Sequence, residues 1–105
     1  MAQSFDFVIR GATRDTAAAI RTYAARRLSI ALRRFERRIR SVRIRVTDLN
    51  GPRRGVDTSC SMTARLKSGR EVVVEATTAV PYASVSRAAV KLREAVAREL
   101  GRAAT

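Results

Sequence analysis

Histidine is absent from this chain of 105 residues, cysteine occurs once, and acidic residues number only 9. Without histidine the commonest general base and the commonest nitrogen ligand for metals are missing. Cys60 stands alone, which excludes an intramolecular disulfide and a cysteine metal cluster. Its expected role is that of a small buried apolar residue. There is no glycine-rich cofactor turn, and no pair of carboxylates is placed to hold a metal or to divide acid and base roles. These gaps point away from an enzyme, a cofactor or a small-molecule substrate. No apolar run approaches the roughly 20 residues of a membrane span, so no membrane partner is expected. Met1 to Arg10 is too polar for a signal peptide. A cytoplasmic protein is the expectation. Lysine is scarce as well: every basic residue except Lys67 and Lys91 is arginine.

What is present is positive charge. Lys and Arg together number 22, giving a formal net charge of +13. A folded body with that imbalance repels itself and attracts polyanions. The densest stretch runs from Arg26 to Arg45 and holds Arg26, Arg27, Arg33, Arg34, Arg37, Arg38, Arg40, Arg43 and Arg45 against the single acid Glu36. Arginine also brings a planar fork that fits phosphate. The hydrophobic fraction, 46%, suffices for a modest core. One domain over residues 1–105 is expected, with a tail that frays after about residue 101.

Alternation and helical spacing give the order of elements. Phe5, Phe7 and Ile9 alternate with Asp6, Val8 and Arg10 as a first strand, ended by Gly11. Thr13 or Asp15 can cap a helix running from about Thr16 to Arg38. Its apolar stripe is Ala17, Ile20, Ala24, Leu28, Ala31, Leu32 and Phe35, with Arg26, Arg33 and Arg37 together on another face. Val42, Ile44 and Val46 form a second strand. Asp48 to Gly55 is a loop. Cys60, Met62, Ala64 and Leu66 form a third strand, Ser68-Gly69 a tight turn, and Val72, Val74 and Ala76 a fourth strand. Pro81 suits the first turn of a last helix whose stripe is Tyr82, Val85, Ala89, Leu92, Val96 and Leu100. Glu94 and Arg98 are spaced to pair, and Gly101 is placed to cap that helix. The fold class is therefore α+β: a two-layer sandwich of order β-α-β-β-β-α, with a four-stranded mixed sheet and both helices on one face.

Four groups of residues are candidate sites. The first is the helical cluster Arg26, Arg27, Arg33, Arg34, Arg37 and Arg38, a phosphate-binding surface because the acids that normally intersperse such a face are missing. The second is the open sheet face with Arg43, Arg45, Arg65 and Lys67. It lacks the aromatic platform of sheets that stack bases, so it reads equally as a solvated outer face. The third is the loop pair Arg53 and Arg54, better read as a plain turn that adds charge. The fourth is Tyr82 with Lys91. Tyr82 reads as a core residue whose hydroxyl reaches the surface, and Lys91 lies on the polar side.

Two passages resemble a known family. One is Ile20-Arg21-Thr22-Tyr23-Ala24-Ala25-Arg26-Arg27-Leu28, continuing through Leu32-Arg33-Arg34-Phe35 into Arg38-Ile39-Arg40-Ser41-Val42. The other is Val72-Val73-Val74-Glu75-Ala76 followed by Tyr82-Ala83-Ser84-Val85 and Lys91-Leu92. Together with the element order, they resemble the ribosome hibernation-promoting factor and ribosome-associated translation inhibitor family, in its short form. Ser86 departs from the family's usual Asp or Asn, and Thr78-Ala79-Val80-Pro81 replaces its acidic lead-in. The resemblance implies binding to the 16S rRNA of the small ribosomal subunit, in the channel for mRNA and tRNA, with translation inhibited as a result. It also allows for another factor in ribosome dimerisation. By position it singles out Arg21, Arg27 and Lys91; Arg33, Arg34, Arg37, Arg38, Arg87 and Arg98 join them on charge alone. A general RNA- or DNA-binding module, or a basic domain that docks on an acidic protein or anionic surface, remain alternative readings of the charge.

Overall fold

The computed structural model describes residues 4–48 and 57–104. Strand β1 (Ser4–Arg10) leads through Gly11, whose φ of +83° favours glycine, to helix α1 (Arg14–Ala31). Thr13 is the cap: its hydroxyl accepts the backbone N–H of Thr16 at 3.2 Å. A 3-10 segment (Arg33–Arg38) then delivers the chain to β2 (Ile39–Asp48), followed by β3 (Thr58–Leu66), β4 (Glu71–Thr78) and helix α2 (Pro81–Ala104). The sheet order is β1-β2-β3-β4, with β1 parallel to β2 and the other pairs antiparallel. Both helices cover one face, as the sequence implied. Their buried residues Ile20, Ala24, Leu28, Leu32, Val85, Ala88, Ala89, Leu92 and Val96 meet Val42, Ile44, Val46, Cys60, Met62, Ala64, Leu66, Val72 and Ala76 of the sheet in one core.

The expected first helix is shortened. It ends at Ala31, where Leu32 donates its N–H back to Leu28. The next six residues tighten into i,i+3 bonding, with the Phe35 N–H on the Leu32 carbonyl at 2.9 Å. Continued α-helix would stack Arg33 on Arg37 and Arg34 on Arg38, like charges one turn apart. Arg33 and Arg37 therefore do not share a helical face with Arg26. Strand β2 starts at Ile39, three residues earlier than alternation suggested. The register shifts between Ile39 and Ser41, so Arg40 is an extra bulged residue. That bulge lets Ile39 and Val42 both point inward although they are an odd step apart.

At the other hairpin, Gly69 (φ +97°) donates to the Leu66 carbonyl while the Leu66 N–H reaches Arg70, the geometry of a short turn closed by a left-handed glycine. Lys67 belongs to this turn and not to β3. Pro81 opens α2, as its missing N–H suits. Gly101 lies inside α2, which continues to Ala104, so it is not the cap that was expected. Glu94 and Arg98 form no ion pair; at exposed sites the entropy of holding two long side chains offsets most of the attraction. Tyr82 is 41% exposed and packs edge-on against Tyr23, outside the core.

Candidate nucleic-acid interface

The two layers treat their arginines differently. On the open sheet face, Arg43 lies 3.4 Å from Asp6 and Arg65 lies 3.8 Å from Glu71. Cross-strand register causes this: Asp6 stands beside Arg43 on β1 and β2, and Arg65 beside Glu71 on β3 and β4. Arg45 on the same face lies between Val8 and Ser61, and Ser61 is in turn opposite Glu75. So two of the four basic residues of the second candidate surface, Arg43 and Arg65, stand beside carboxylates, and Arg45 and Lys67 do not. Arg53 and Arg54 lie outside the described residues.

The helical layer is not balanced. Its described acids are Asp15, Glu36, Glu94 and Glu99, and only Glu99 is in an ion pair, at 3.0 Å from Arg70 and 4.0 Å from Arg102. Arg21, Arg26, Arg27, Arg33, Arg34, Arg37, Arg38, Arg87 and Arg98 have no carboxylate within ion-pair distance among the described residues. Two of them lie over aromatic rings. The Arg21 guanidinium sits 5.9 Å from the centre of Phe7, and that of Arg34 sits 5.7 Å from Phe35.

Within the layer, the helices bring Arg27, Arg87 and Lys91 together. They rim a shallow groove of about 450 Å³ whose other walls are Ala83, Ser86 and Val90. The small side chains at 83 and 86 leave the floor open. Ser86, the departure from the family pattern, serves as the hydrogen-bond partner of the Tyr23 hydroxyl and so fixes α1 against α2. Arg27 is half-buried beside this contact. Its Nε is shut off from water and has no acceptor. A shielded charged donor without a partner is costly. Lys91 donates at 2.9 Å to the Glu75 carbonyl on the edge strand β4. That uses one ammonium proton and leaves two.

A second concentration lies at the end of the molecule where α1 finishes. The Lys67 N–H donates to the Arg38 carbonyl, so the 3-10 segment lies against the β3–β4 turn. Arg33, Arg34, Arg37 and Arg38 thereby join Lys67 and Arg70 at one end. Arg21 is set apart, on the flank of α1 that faces β1. Arg98 follows Lys91 two helical turns down α2. Arg40 and Arg70 were missing from the sequence-based sites. Arg70 was within reach, because the Ser68-Gly69 turn places it next to Lys67. Arg40 carried no such signal, since its outward position depends on the bulge.

The Sigma 54 modulation protein / S30EA ribosomal protein family matches residues 7–103 of the chain. The chain belongs to that family. It is the one to which the two sequence passages pointed, and membership accounts for the β-α-β-β-β-α order. Among solved structures, the N-terminal domain of Protein Y from Thermus thermophilus is 21% identical with a TM-score of 0.70, over 91% of this chain and 97% of that one. A ribosomal subunit interface protein from Coxiella burnetii is 14% identical with a TM-score of 0.74, over 94% of this chain and 99% of that one. At these identities both show the family fold. No curated protein matches the chain.

Proposed function

We propose that this protein binds the small ribosomal subunit through its helical layer, contacts 16S rRNA phosphates in the channel for mRNA and tRNA, and inhibits translation by occupying it. The observation that carries the reading is the contrast between layers. On the sheet face Arg43 and Arg65 stand beside carboxylates and Arg45 does not, while none of the nine arginines of the helices and the 3-10 segment named above has a carboxylate within ion-pair distance among the described residues. Membership of a ribosomal protein family, and likeness to a structure described as a ribosomal subunit interface protein, support the ribosome as the polyanion that such a surface would meet. In this reading Arg27, Arg87 and Lys91 seat one stretch of backbone in the groove. Arg33, Arg34, Arg37 and Arg38 grip another at the end of α1, and Arg21, Arg26 and Arg98 extend the contact. Each phosphate neutralised releases counterions, so the complex is salt-sensitive.

Sedimentation through a sucrose gradient tests this. The protein is expected to co-migrate with small subunits at low salt and to leave them at high salt. The combined change Arg33→Glu, Arg34→Glu and Arg37→Glu should leave it at the top of the gradient with native far-UV circular dichroism. The change Arg43→Glu with Arg65→Glu should leave co-migration intact. Loss in the sheet variant together with retention in the helical variant would move the interface to the other layer.

A further inference from the structure

The groove between the helices holds more than charge. Along α2, Tyr82, Ser86 and Val90 follow one another at four-residue steps and so form one row, about 12 Å long. Tyr82 is 41% and Val90 38% exposed, an unusual setting for large apolar side chains in a body this charged. Arg87 and Lys91 stand in the adjoining row with Ala83, again at four-residue steps. On α1, Tyr23, Arg27 and Ile30 are spaced to share one side of that helix, and Ile30 is also exposed. The Tyr82 ring stands edge-on to Tyr23 at 4.9 Å between centres, and the Tyr23 hydroxyl meets Ser86, so the aromatic end of the row is held in place.

Cations alone suffice for a double helix. A duplex turns phosphate and sugar outward and keeps its bases stacked inside, so exposed apolar side chains gain little from it. A single strand offers the faces of its bases. These stack on aromatic and apolar side chains while the backbone follows the positive charge. Apolar residues exposed one by one are ordinary on any surface. Here they are aligned, and Arg27, Arg87 and Lys91 flank them. Glu94, one step beyond Val90 in the same row, is exposed and acidic, which ends the apolar row and keeps the stretch it can meet short.

We infer that this groove takes single-stranded RNA, with the backbone along Arg27, Arg87 and Lys91 and bases turned onto Tyr82 and Val90. The inference rests on the ribosome reading and specifies the kind of rRNA segment this part of the surface meets, an unpaired one. The purified chain and short oligonucleotides test it without ribosomes. The chain has two tyrosines, Tyr23 and Tyr82, and no tryptophan, so its own fluorescence reports on the groove. The probes are a short RNA of mixed adenine and uracil, and the duplex it forms with its complement. Attraction to charge alone favours the duplex, whose charge density is higher. Contact through the row reverses that order: the single strand should bind about ten-fold more tightly than the duplex and quench the tyrosines, while the duplex leaves their emission unchanged. Tyr82→Ala, followed by anisotropy of an end-labelled strand, should weaken the single strand by about ten-fold, the weight of one stacked base, and leave the duplex where it was. Val90→Ser, at an exposed position outside the core, is a second variant expected to act with the same selectivity. Duplex affinity equal to or above that of the single strand would overturn the inference, as would variants that leave the single strand unaffected or weaken both probes alike. That failure would leave co-sedimentation with ribosomes to be judged by itself, whereas loss of co-sedimentation with the single-strand preference intact would strike the ribosome reading alone.

Discussion

Single side chains here show how burial decides chemistry. Cys60 is fully buried, and desolvation pushes its thiol from 9.0 up to about 12. It is therefore inert as a nucleophile near neutral pH, and Ellman's reagent should titrate it only after urea is added. The same shift has a consequence for stability. In the unfolded chain the thiol loses its proton at its ordinary value; in the folded chain it keeps it to about 12. Between those values unfolding releases a proton, so this group's contribution falls as pH rises, by up to about 1.4 kcal/mol per pH unit. Urea unfolding of Cys60→Ala against the parent between these limits should show a shallower loss in the variant. Tyr23 makes the complementary point about polar contacts. Its hydroxyl meets Ser86 while its ring packs on Tyr82, tying the two helices together. Tyr23→Phe should lower stability by about 1 kcal/mol in a urea titration, because the Ser86 hydroxyl loses its partner.

Elements show where local rules hold and where tertiary context overrides them. In the β3–β4 hairpin the turn chemistry is local. Gly69→Ala meets no neighbour within 4 Å, yet its φ of +97° is strained for any side chain. It should cost about 1 kcal/mol or more and lower the melting temperature by roughly 4–8 °C, readable by calorimetry. Such features were legible in the sequence: the glycine after Ser68, the proline opening α2, and the alternation through Cys60, Met62 and Ala64. The end of α1 was not. Leu32 and Phe35 keep a three-residue step that serves an α-helix and a 3-10 turn equally, so spacing alone cannot show the break at Ala31. The bulge at Arg40 was hidden for a related reason. It breaks the alternation that reveals a strand, and only pairing with β3 shows it. The site was legible as a set of basic residues. That Arg43 and Arg65 find carboxylates depends on cross-strand register, which no single strand reports.

For the whole molecule, charge is the dominant fact. With a net of +13 and few ion pairs in the helical layer, the folded state stores repulsion that salt can screen. The Debye length shrinks to about 10 Å at 0.1 M, comparable to the spacing of these side chains. Raising sodium chloride from low to physiological levels should therefore raise the melting temperature, while the affinity for ribosomes falls. The two trends in opposite directions, followed by differential scanning fluorimetry and by pelleting, check that one set of charges governs both.

The path of the chain makes α1 and α2 run in the same direction, so the molecule has two unlike ends. At the end where both helices start, the described charged residues are Arg10 and Arg14 against Asp15, Asp48 and Asp57. At the other, Arg33, Arg34, Arg37, Arg38, Lys67 and Arg70 crowd around Glu36 and Glu99. The centre of charge is thus displaced from the centre of mass. In the field of a polyanion such a body experiences a torque as well as a pull, and it turns its arginine tip forward before any side chain touches.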